Sequence, residues 1–140
     1  MNETHTTNSA EETYALGKRF GQTLKEGDIV ALYGGLGAGK TVFAKGIAGG
    51  LGIEEEVVSP TFTLLKTYGG RETLHHFDLY RIEDEEELAH IGFYDTLNDG
   101  SISVIEWPEN ADGLPPCIAV RLVGSGDDHR MIKIERPAEV

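Results

Sequence analysis

The stretch Gly34-Gly35-Leu36-Gly37-Ala38-Gly39-Lys40-Thr41 fits the pattern G-x-x-x-x-G-K-[ST] without a mismatch. Residues of these types at this spacing can hold a polyphosphate. Glycines let successive backbone N–H groups turn inward around an anion, a lysine reaches the β- and γ-phosphates, and a threonine hydroxyl can ligate Mg²⁺. Gly35, Leu36, Gly37, Ala38 and Gly39 are therefore candidate phosphate-binding positions, followed by Lys40, Thr41 and Val42. A cradle of this kind also needs an acid on the metal side, delivered by a neighbouring buried strand. Glu106 suits that role because Ile102-Ser103-Val104-Ile105 would carry it to the carboxyl edge of a sheet, where open α/β sheets bind ligands. Asp78 closes His75-His76-Phe77 in the same way and could bind the metal through water or polarise an attacking water. The metal set is thus Thr41, Glu106 and Asp78, and the catalytic set is Lys40, Asp78 and Glu106.

Other residues offer weaker chemistry. Thr61 could bring a second hydroxyl to the γ-phosphate as switch segments do, and Trp107 could either pack in the core or lie over the site. Arg71, Arg81 and Arg130 are candidates for neutralising phosphate charge, with ordinary surface exposure as the alternative for each. His75 and His76 are adjacent in a strand and so point to opposite faces, poor geometry for two ligands of one metal.

The elements that must position these groups can be read from periodicity. Ile29–Tyr33 is an unbroken apolar run suited to a strand buried on both faces. From Lys40, the residues Val42, Phe43, Ile47 and Leu51 recur at helical spacing, so the glycine-rich loop joins a strand to a helix whose N-terminus faces the anion. Gly49-Gly50 and Gly52 are expected to loosen the end of that helix. An earlier helix is predicted from Ser9-Ala10-Glu11-Glu12, a cap followed by acids, and continues through Leu16, Phe20 and Leu24. Val57-Val58 and Phe62–Tyr68 read as extended, with Gly69-Gly70 turning the chain into Thr73–Asp78. The acidic run 83–87 reads as the solvated first turn of a helix to about His90. Ile118–Val123 and Met131–Glu135 alternate as a closing antiparallel pair around the turn Gly124–Asp128. The class predicted is α/β: a P-loop NTPase-like mixed sheet flanked by helices, in a single domain spanning 1–140, with residues 1–8 frayed.

Composition narrows the function. The 140 residues carry a formal net charge of −12 with no Lys/Arg cluster, which disfavours a large nucleic-acid footprint. The one cysteine, Cys117, rules out an internal disulfide or a thiolate zinc cluster. With neither a secretory pattern nor a membrane-length apolar run, a cytoplasmic protein without membrane contact is expected. No N-K-x-D occurs, and Asp78-Leu79-Tyr80-Arg81 lacks the glycine of a D-x-x-G switch, so ATP is expected in preference to GTP. A small-molecule kinase and a non-catalytic nucleotide-sensing module are the rival readings.

The succession G-x-L-G-A-G-K-T, S-P-T-F-T-L, H-F-D-L-Y-R, E-E-L and I-E-W-P, from about Thr13 through Pro108, resembles the bacterial TsaE (YjeE) family of tRNA threonylcarbamoyladenosine biosynthesis ATPases. The resemblance implies a weak, partner-dependent ATPase using ATP and Mg²⁺. It implies TsaB and TsaD as partners in modifying the adenosine beside the anticodon, with tRNA met only through the complex. It further implies Gly37–Thr41 for the phosphates, Thr41 and Glu106 for Mg²⁺, Asp78 as a second essential acid, Trp107 as a site neighbour, Thr13 near the adenine and Arg130 in a stretch closing over the nucleotide. The chain departs from the family pattern at Gly35, usually Asp, and at Val42, usually a second Thr.

Overall fold

The computed structural model describes residues 2–35, 38–58, 64–124 and 127–137. In chain order the elements are β1 (Asn2–Thr7), α1 (Ala10–Gln22), β2 (Ile29–Tyr33), α2 (Lys40–Gly50), β3 (Leu65–Gly69), β4 (Thr73–Asp78), α3 (Glu85–His90), α4 (Phe93–Leu97), β5 (Ile102–Glu106), β6 (Ile118–Gly124) and β7 (Arg130–Glu135), with one 3₁₀ turn at Pro108–Asn110. The strands form one mixed sheet in the order β1-β7-β6-β2-β5-β4-β3. Its centre is parallel: β2 pairs with β5 and β6, and β5 with β4. Both edges are antiparallel, β3 on β4 and the β6–β7–β1 meander. This is the mixed, helix-flanked sheet expected, including the closing strand pair.

Two apolar clusters explain why β2 and β5 read as continuous apolar runs. On one face, Leu16, Phe20, Phe43 and Ile47 of α1 and α2 pack on Val30, Leu32, Val104 and Val120. On the other, Leu88, Phe93 and Leu97 of α3 and α4 cover Ile29, Phe77 and Ile105. A parallel strand between two helical layers must present apolar groups both ways. The caps match the sequence signals: the Ser9 hydroxyl accepts from Glu12 N, and the Asp84 carboxylate accepts from Glu86 N and Glu87 N. Acids 85–87 then sit in the first turn of α3, where the helix dipole favours them.

One expectation needs correction, and two are made more specific. Residues 2–7 are not frayed: they form edge strand β1, in antiparallel register with β7 from Asn2↔Glu135 to Thr7↔Arg130. A polar edge strand draws on ladder hydrogen bonds and needs no apolar stripe, so hydrophobic patterning is blind to it. The strand is fastened by the buried Thr7–Thr13 hydroxyl pair, 2.7 Å apart, and by Arg136 on Glu3. Secondly, α2 ends at Gly50 as expected, and the glycines of this helix also serve a packing contact. Gly17 and Gly21 of α1 face Gly46 and Gly50 of α2, and a Cβ added at Gly21, Gly46 or Gly50 would lie 2.3–2.4 Å from a backbone oxygen of the other helix. The two helices therefore touch backbone to backbone. Thirdly, Arg71 takes the exposed alternative, and its guanidinium donates to the carbonyls of Gly21 (3.3 Å) and Leu24 (3.2 Å), where the backbone of α1 ends. The extended reading of 59–63 lies outside the described residues.

Because the α1–α2 contact is made through backbone, Gly46→Ala must push the helices apart. Overpacking of this kind costs about 1–3 kcal/mol. Urea unfolding should show the midpoint falling accordingly with an unchanged slope, whereas Gly35→Ala, where an added Cβ meets nothing within 4 Å, should leave it in place.

Candidate functional site

The site lies at the carboxyl edge of the parallel centre of the sheet. Register places Leu32 of β2 beside Glu106 of β5, and Glu106 beside Asp78 of β4. The loop leaving β2 and the two acids are thus brought to one edge by adjacent strands, as the sequence implied. Glu106 is buried and Asp78 half-buried. The Asp78 carboxylate accepts from Tyr80 N at 3.0 Å, and Glu106 Oε2 lies 2.6 Å from His76 Nε2.

The loop turns into α2 at Gly39, which has φ +98°, a conformation costly for any residue with a side chain. A Cβ there would also meet Arg130 Nε at 3.3 Å. No side chain caps α2 and no acid occupies its first turn, so its N-terminal N–H groups are left for an anion. Lys40 opens the helix and is only 6% exposed. Its Nζ is buried without a hydrogen-bond partner among the described residues and lies 3.5 Å from the centroid of the Trp107 ring. Burial pushes the Lys40 ammonium below the ordinary lysine range, while the charges of Glu106, Glu109 and Asp78 oppose that shift.

Trp107 holds this arrangement through an unusual backbone. Its φ of +59° is left-handed, which costs a non-glycine residue about 1–3 kcal/mol. The turn lays the indole between Lys40 and Tyr80, whose ring centroid is 4.9 Å away. Trp107 is thus both packing partner and site neighbour.

A second part of the site lies beside the helix start. Ala10, Thr13, Gly39, Val42, Asp128 and Arg130 line one cleft. The structure therefore brings Thr13, Val42 and Arg130 together next to Gly39, although they come from three separate stretches of chain. Thr41 is half-buried in the first turn of α2 and Ala38 is buried in the loop. Gly35 is exposed with open space around it, room for the longer side chain the resemblance leads one to expect there. Leu36, Gly37 and Thr61 lie outside the described residues.

The donor set fits a magnesium–nucleotide complex. The buried, unpaired ammonium calls for an anion beside it, and the two register-paired carboxylates call for a cation. Among the described residues no group of three or more His, Cys, Asp or Glu is placed to hold a metal unaided. Mg²⁺ typically takes one or two carboxylates and completes its shell with water and substrate phosphates, a number that Glu106 and Asp78 could supply. Two groups escaped the sequence reading. His76 shares the parity of Asp78 on β4, and that spacing of two was the available signal that it faces the same side. Glu109, in the 3₁₀ turn after Trp107, has a charge that reaches Lys40, and nothing in the spacing of I-E-W-P-E pointed to it.

Comparison with known proteins identifies the family. The family described as threonylcarbamoyl adenosine biosynthesis protein TsaE matches residues 7–132. The chain is 46% identical to the tRNA threonylcarbamoyladenosine biosynthesis protein TsaE of Treponema pallidum, over 85% of this chain and 91% of that one. It is 42% identical to the protein of the same name in Bacillus subtilis, over 87% of this chain and 78% of the relative. Among solved structures, the crystal structure of Bacillus subtilis YdiB superposes with a TM-score of 0.82 at 34% identity, covering 96% of this chain and 84% of that one. The chain belongs to the TsaE family of threonylcarbamoyl adenosine biosynthesis proteins.

Proposed function

We propose that the protein binds Mg·ATP at this edge and hydrolyses it slowly, and that turnover drives or resets a TsaB/TsaD complex modifying position 37 of tRNA. The observation carrying this reading is the buried Lys40 ammonium, unpaired among the described residues, at the uncapped start of α2 opposite Asp78 and Glu106. Lys40 and the α2 N–H groups would take the phosphates. Thr41 and Glu106 would hold Mg²⁺, whose chemistry is to neutralise charge developing on the transferred phosphoryl group. Asp78 would orient the attacking water or bind the metal through water. Thr13, Val42 and Arg130 would border the nucleoside end, in the cleft they line beside Gly39.

The surface charge supports an indirect role toward RNA. A net charge of −12 is unsuited to gripping a phosphate backbone, so the basic surface would belong to the partners. Among the described residues no helix is long and apolar enough to cross a membrane.

Two outcomes are expected. Lys40→Met keeps the aliphatic stem and removes the charge. Nucleotide affinity, read from the fluorescence of Trp107, the only tryptophan, should fall about 10- to 100-fold, since a charge-assisted hydrogen bond contributes about 1.5–3 kcal/mol. The same variant without nucleotide should melt higher than the wild type, because an unpaired buried charge is gone. In the second experiment, γ-labelled ATP should yield free phosphate, faster with TsaB and TsaD present, and Glu106→Gln should lower that rate by at least about 100-fold. Label on an acceptor molecule would favour a kinase, and full complex function in Glu106→Gln would favour a sensing module without catalysis.

A further inference from the structure

We propose that His76 is the positioning residue of Glu106: its Nε2–H fixes one carboxylate oxygen and leaves the other turned to the phosphate cleft. This rests on the reading of Glu106 as the acid on the magnesium side. His76 is 1% exposed and Glu106 is 3% exposed, so neither side chain is held by solvent. The parallel register pairs His76 with Val104 and Asp78 with Glu106, which sets His76 one same-face step behind Asp78 and diagonal to Glu106. From there Nε2 reaches Glu106 Oε2 at 2.6 Å. The other ring nitrogen, Nδ1, is buried without a hydrogen-bond partner among the described residues. The contact to Glu106 is therefore the one described polar bond of a ring that an apolar side chain could otherwise replace at no hydrogen-bonding cost.

The neighbouring histidine shows what a purely structural imidazole looks like in this fold. His75, on the opposite face of β4, has both nitrogens engaged, with Thr67 Oγ1 at 2.9 Å and Asp99 Oδ2 at 2.8 Å, and ties β3 to the turn before β5. His76 instead spends its bond on the acid at the functional edge. A glutamate has three rotatable side-chain torsions, and fixing one oxygen selects the orientation in which the other is presented. Groups that orient a metal ligand in this way typically change metal affinity about 10- to 100-fold when removed.

The test measures how strongly the metal tightens nucleotide binding. Calorimetry with a non-hydrolysable ATP analogue, in EDTA and in saturating Mn²⁺, gives a coupling factor for the wild type, Glu106→Gln, His76→Leu and His76→Gln. His76→Leu should lower the factor by about 10-fold or more, with affinity in EDTA unchanged. His76→Gln, whose amide can still donate, should restore most of it. A wild-type factor in folded His76→Leu, with a loss in Glu106→Gln, would overturn the role of His76 alone. An unchanged factor in Glu106→Gln would remove the reading of Glu106 and the role of His76 with it. If His76→Leu does not fold, the ¹⁵N-imidazole spectrum of the wild type decides: the Mn²⁺-free Mg²⁺ complex should keep Nε2 protonated, and a bare Nε2 would overturn the proposal.

Discussion

An ammonium group taken out of water needs an acceptor, and the Lys40 Nζ has none among the described residues. The indole of Trp107 at 3.5 Å compensates in part, by a cation–π contact worth about 0.5–2 kcal/mol. Burial pushes the ammonium below the ordinary lysine range, and the charges of Glu106, Glu109 and Asp78 oppose that shift. A buried ammonium placed in this way favours an anion beside it. The acids beside the lysine would repel phosphates on their own, and the metal cation proposed between the two sets of negative groups would resolve that conflict. A buried lysine and two strand-end acids, with the magnesium proposed between them, answer to a single electrostatic requirement.

The fold serves that requirement by bringing five chain segments to one sheet edge. Parallel pairing of β2, β5 and β4 aligns their carboxyl ends, so the phosphate loop, Glu106 and Asp78 meet without long connections. The backbone contact of α1 on α2 sets where α1 begins relative to the loop, and so carries Thr13 to the cleft beside Gly39. The β6–β7 hairpin brings Arg130 to the same place from the far side. At the edge itself the backbone is left-handed at Gly39 and Trp107, where the rest of the structure holds it in place.

Much of this was legible in the sequence, for physical reasons. A parallel strand between two helical layers must be apolar throughout, so β2 and β5 announced themselves, and with them the position of Glu106. Caps marked α1 and α3 because unsatisfied helix N–H groups demand them. What escaped was held by forces with no hydrophobic period. Strand β1 is fixed by ladder bonds between polar residues, and α4 is too short at Phe93–Leu97 to show a helical repeat. The four-residue spacing of Gly17 with Gly21, and of Gly46 with Gly50, was visible, but its meaning depends on which helix lies opposite. The pairing of His76 with Glu106 joins residues thirty positions apart and follows only once β4 and β5 are known to be neighbours in parallel register.

The most direct measurement of the central claim is a crystal structure with Mg²⁺ and a non-hydrolysable ATP analogue. The account predicts that Lys40 Nζ leaves the indole and lies within hydrogen-bond distance of phosphate oxygens, with the metal between those oxygens and Glu106. A lysine still resting on Trp107, with the nucleotide bound elsewhere on the molecule, would contradict it.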